Sequence, residues 1–181
     1  AVNLNAAGNV TANSVNAGGA VTVNVTDTGS LTLGNVSAAG QTVTLNVAGE
    51  VLDGDTTPDN VDITASSLSI TAASVGTSDN ALDTNVDTLV LNLGSGAANV
   101  SEANALALSS ATTGALNLSA AGNLDAQSVT ASGEVTLSVT GADATLTVGS
   151  LSGTAAVNLN AAGNVIANSV NAGGAVTVNV T

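Results

Sequence analysis

The 181-residue chain carries 13 acidic side chains and no Lys, Arg or His, a formal charge of −13 at neutral pH that excludes nucleic acid as a partner. With no Cys, disulfides and thiolate metal sites are excluded; with no Phe, Trp or Tyr, the core must be assembled from Val, Leu, Ile and Ala. Mean hydropathy is +0.44, yet Asn, Thr, Ser and Gly break every apolar run short of the roughly 18 residues of a membrane span, so membrane insertion is not expected.

Residues 1–26, AVNLNAAGNVTANSVNAGGAVTVNVT, return at 156–181 with one change, Thr11 becoming Ile166. The chain therefore reads as one 155-residue unit, 1–155, followed by the start of the next, 156–181, a window on a tandem array. Near-identity in the same register is the mark of a stacked solenoid. Along the unit, apolar alternations of strand periodicity begin at Val2, Val21, Val43, Leu68, Leu89, Leu116 and Val135, and the series starts again at Val157. These starts predict about seven rungs per repeat.

Val10 and Val15, or Leu124 and Val129, supply second and third faces, so a rung of three short strands is expected, with Gly8-Asn9, Gly18-Gly19 and Gly122-Asn123 at its corners. The fold class is all-β, a parallel β-helix, right-handed by the twist of its strands. Seven rungs stacked at about 4.8 Å would rise roughly 34 Å. Segments 1–40 and 115–153 also resemble each other, so an older two-rung unit lies nested in the large one. Outward positions such as Asn5, Asn24 and Asn46 would stack into polar ladders along the axis.

Residues 61–93, VDITASSLSITAASVGTSDNALDTNVDTLVLNL, followed by EANALALSS, resemble the repeats of giant bacterial surface and secreted proteins of the filamentous-haemagglutinin-like type. The resemblance implies a secreted right-handed parallel β-helix used as an adhesin or extracellular fibre, located outside the cell or on its surface. It carries over no functional residue. Near-perfect repetition and the absence of Lys and Arg shift the expectation from an ordinary adhesin shaft towards a dedicated structural filament whose partners are further copies of the same repeat.

Eight of the 13 acidic residues lie between Glu50 and Asp87, and the stretch DGDTTPDN holds the only proline, Pro58. An acidic loop over about 50–62 is expected to project from the shaft. Within it Asp53, Asp55 and Asp59 offer three hard oxygen ligands close together in sequence, a cradle suited to Ca²⁺ but not of EF-hand spacing. The plainer reading is a solvated loop that keeps fibres soluble and apart. A second acidic stretch, Asp79, Asp83 and Asp87, reads as a polar loop. No cofactor other than Ca²⁺ is implied. Catalysis is not expected, because no His, Cys, Lys, Arg or Tyr is present and a carboxylate pair acting on sugars would lack aromatic platforms. Two functions follow as expectations: a structural filament of stacked repeats or, alternatively, an adhesin stalk displaying a Ca²⁺-dependent acidic loop once per repeat.

Overall fold

The structure, a computed structural model, describes residues 1–55 and 60–181. The described residues form 19 strands and no helix, all joined in one parallel sheet that winds as a β-solenoid of about nine turns. A parallel coil suits this sequence because a strand sends one side chain inward and the next outward, and a narrow interior needs no aromatic volume. In Val21–Val25, for example, the three valines are buried while Thr22 and Asn24 alternate outward. Leu31, Leu45, Leu68, Leu89, Leu108 and Leu118 are fully buried along the shaft, and Ala fills the tighter positions.

Corners show why glycine recurs. Gly49 donates to the carbonyl of Gly29, and a Cβ on either residue would run into the backbone or side chains of its neighbours. Gly96, Gly114 and Gly133 form a second column, in which Gly114 donates to the Gly96 carbonyl and Gly133 to the Gly114 carbonyl. Glycine is required at these places by close approach of backbones rather than by left-handed φ, which the glycines adopt at Gly40, Gly76 and Gly94 instead. The corner asparagines also act across rungs. Asn9 Oδ1 accepts from the Ser30 N–H at 3.0 Å, and Asn123 Oδ1 accepts from the Thr145 N–H at 2.8 Å, each one turn up the shaft rather than from its own turn.

The vertical registers give the size of the repeat in turns. Val2 stands beneath Val21, Val43, Leu68, Leu89, Leu108, Ala126, Val148 and Ala167 in succession. Val10 stands beneath Leu31, Val51, Val75, Ala98, Leu116, Val135, Val157 and Val176. So Val157, the sequence equivalent of Val2, lies on the Val10 line and not on the Val2 line. In sequence it falls midway between Val148 and Ala167, two successive rungs of the Val2 line. The 155-residue unit thus contains about seven and a half turns, half a turn beyond the rung count that the apolar spacing predicts.

The extra half turn enters between Leu89 and Leu116. The Val15 line runs through Val36, Ile63, Thr84 and Glu102, and joins the Val10 line in the single strand Ala98–Glu102. Two short sides of the lower shaft merge there into one long side. On the opposite side, strand Leu106–Thr113 takes in one extra residue, Ser109, where the register shifts above Leu89 and Val90 and the in-and-out alternation breaks.

Candidate metal centre

Strand Glu50–Asp53 stacks on Leu31–Leu33 with Asp53 directly above Leu33. Leu33 is buried in the core, so Asp53 occupies a register position where the ladder calls for an apolar side chain. Gly54 follows with its N–H bonded to the Leu33 carbonyl at 2.5 Å, so close that a Cβ at this position would meet the same oxygen. The chain then turns away: the Asp55 N–H donates to Asp53 Oδ1 at 2.8 Å, an Asx turn. Gly54 and this turn hold both carboxylates against the corner of the shaft.

The chain returns at Asn60 and re-enters the sheet through Asp62. Its N–H donates to the Asp83 carbonyl at 2.8 Å, its carbonyl accepts from the Val36 N–H at 2.6 Å, and its Oδ2 accepts from the Asp83 N–H at 3.0 Å. Asp62 is fully buried. Burial, opposed by the Asp83 N–H and reinforced by the neighbouring carboxylates of Asp53 and Asp83, pushes its pKa up to about 8. Asn80 donates from Nδ2 to the Asp55 carbonyl at 2.6 Å and Asn60 donates from Nδ2 to Asp55 Oδ2 at 3.3 Å, tying the turn to the next rung and to the returning strand.

One carboxylate oxygen from each of Asp53, Asp55 and Asp62 lies within 4.8 Å of the others, the one such acidic cluster among the described residues. Asp53 and Asp55, singled out in the sequence as calcium ligands, are therefore brought together. Asp59, the third, lies outside the described residues. Asp62 joins the cluster, and sequence reasoning passes over it because it looks like the tail of a solvated loop. The available signal is its setting between Val61 and Ile63 at the start of a buried strand, where the chain has already re-entered the shaft. The described parts of the predicted projecting loop, through residue 55 and from residue 60, lie against the shaft, with Asp53 and Asp55 half-buried and Asp62 wholly so. Asp83, read in the sequence as part of a polar loop, sits in strand Leu82–Asn92 and presents its backbone to Asp62.

Asp62 Oδ1 and Asp53 Oδ2 are buried with no hydrogen-bond partner. Both oxygens are acceptors when ionised, and the chain has no basic side chain anywhere to offer them. Two chemistries can relieve such a pair: a proton shared between the carboxyl groups, or a cation held by them. A second buried carboxyl group, Glu102, shows the contrast. Its Oε1 accepts from the Val86 and Asn104 N–H groups at 3.1 and 3.2 Å, and its Oε2 from Thr84 Oγ1 at 2.7 Å. Burial raises its pKa while these donors pull it down, and its lone pairs are satisfied within the protein. A cleft of about 220 Å³ opens between Val61, Asp83, Thr84 and Glu102, and Asp62 does not line it.

Comparison with protein-family models, curated proteins and solved structures returns no match to this chain. The fold is that of a β-helical repeat protein.

Proposed function

We propose that this chain is a stretch of the shaft of an extracellular structural filament, of the type built by filamentous-haemagglutinin-like repeat proteins, in which further copies stack end to end. The observation that carries the reading is that the two near-identical segments build the same ladder: Val2–Ala6 pairs with Val21–Val25 in the same register as Val157–Ala161 pairs with Val176–Val180. The polar ladder repeats with it, since Asn24 donates to Asn5 at 2.7 Å and Asn179 donates to Asn160 at 2.8 Å.

Stacked repeats would inherit the half turn. Each copy rises by about 36 Å, seven and a half rungs at about 4.8 Å, and is rotated by about 180° relative to the one before. The test is cryo-electron microscopy of a protein carrying three tandem copies of residues 1–155, compared with native filaments. A continuous shaft with layers of about 4.8 Å, a rise of about 36 Å and a twist of about 180° supports the reading. Compact separate particles would defeat it. A rise of about 34 Å with no rotation, the signature of seven whole rungs, would defeat the half-turn register.

A further inference from the structure

We propose that Asp53, Asp55 and Asp62 bind one divalent cation, Ca²⁺ by its ligand chemistry, which clasps both ends of the 54–61 segment to the flank of the shaft. Two independent observations carry this. The first is geometric: three carboxylate oxygens lie within 4.8 Å of one another, so one ion with Ca–O bonds of about 2.4 Å can reach all three, and an irregular set completed by water suits Ca²⁺ better than the strict octahedron Mg²⁺ demands. The second is the fully buried Asp62, whose Oδ1 has no hydrogen-bond partner, in a cluster with Asp53, whose Oδ2 is buried and unpartnered as well.

An ionised carboxylate is not buried without a counter-charge, and proteins normally supply one as Arg, Lys or His. This chain has none of them, so the pair is relieved by a shared proton or by a cation from solution, and a bound cation would displace that proton. The donors are all hard oxygens, with no imidazole or thiolate in the chain, which selects Ca²⁺ over Zn²⁺ or copper. Asp62 is already oriented by the Asp83 N–H on its other oxygen, and Asp53 by the Asp55 N–H on its Oδ1, so each is held with its second oxygen free for the ion. Asp53 and Asp55 are half-buried, which leaves a solvent side on which water completes the coordination. Asn80 and Asn60 brace Asp55 from the adjacent rung and the returning strand. The ion would thus join successive rungs through residues 53–55, 62 and 80–83.

Isothermal titration calorimetry of the full 181-residue chain, stripped with chelator and titrated with Ca²⁺ and separately with Mg²⁺ at neutral pH, tests the site without any dependence on fibre formation. The expected result is one Ca²⁺ per chain, Mg²⁺ weaker by at least tenfold, and a melting temperature that rises with Ca²⁺ concentration. Asp62→Asn, nearly isosteric, is expected to weaken Ca²⁺ by at least tenfold. Asp125→Asn, on the exposed face of another strand, should leave it unchanged. If Asp62→Asn fails to fold by circular dichroism, Asp55→Asn at the half-buried position replaces it with the same expectation. No heat and no thermal shift up to millimolar Ca²⁺ would overturn the proposal. So would equal Ca²⁺ binding in wild type, Asp62→Asn and Asp55→Asn, or an equal loss in Asp125→Asn, which would mark general charge attraction.

Discussion

Glu102 offers the sharpest test of how this shaft tolerates charge in its interior. It occupies an inward register position between Thr84 and Ala120, is 2% exposed, and receives three donors. Truncation by Glu102→Ala strands the Val86 and Asn104 N–H groups; Thr84 escapes, because its hydroxyl can turn to the Ser101 carbonyl at 3.3 Å. Val86 is wholly buried and Asn104 partly so, and two orphaned donors at about 1–3 kcal/mol each give a loss on the order of 2–6 kcal/mol. Glu102→Gln keeps an oxygen for both N–H groups, and its amide can donate to Thr84, so its cost should stay under about 1 kcal/mol, the range of a single ordinary hydrogen bond.

The pH dependence follows from the same site. Burial raises the native pKa of Glu102, so the folded chain holds this proton more tightly than the unfolded one. The contribution is then full below the unfolded carboxyl pKa and is lost as pH rises through the native value. Glu102→Gln removes that component and flattens the profile. With no aromatic residue for fluorescence, the assay is urea unfolding followed by far-ultraviolet circular dichroism from acidic to neutral pH, with amide exchange at Val86 as the local readout. The reasoning is refuted if Gln costs as much as Ala, or if the fall in stability with pH is as steep in the Gln variant as in wild type.

Three further outcomes are expected. Gly114→Ala should destabilise by about 1–3 kcal/mol or more, because a Cβ there runs into the Ser95 carbonyl; the same change at Gly8, where a Cβ meets open space, should stay within about 0.5 kcal/mol by chemical denaturation. Leu118→Ala, at a fully buried core position, should cost about 2–5 kcal/mol, and hydrogen exchange should show the loosening confined to adjacent rungs, since each rung contacts only its neighbours. Asn24→Ala removes two exposed side-chain bonds of the ladder and should cost about 1–2 kcal/mol by the same denaturation assay; no change would show that the ladder only decorates the backbone pairing.

Much of the architecture was legible in the sequence because one physical rule governs most of it. A strand that alternates between a dry interior and water must be apolar at every second residue, and Val21, Val23 and Val25 or Leu116 and Leu118 announce it directly. The half turn was hidden because it has no composition of its own. The long interval from Leu89 to Leu116 looks like one extended rung, and only the pairing of Leu89 with Leu108 shows that a turn closes within it. The metal centre was half legible. Asp53 and Asp55 stand out by spacing, but Asp62 becomes a partner only through the return of the chain beside Asp83, one rung away. Glu102 left a usable trace, since Ala98, Val100 and Glu102 alternate in phase and the phase points the carboxyl inward.

The near-identical segments 1–26 and 156–181 sit on different sides of the shaft, one with Val2 at the foot of its line and the other with Val157 on the Val10 line. A stretch of sequence that pairs in the same register from two angular positions has no privileged origin on the circumference. Gene duplication or unequal recombination in such an array is therefore not restricted to whole turns: any breakpoint that preserves the in-and-out phase of the strands yields a chain that can still close.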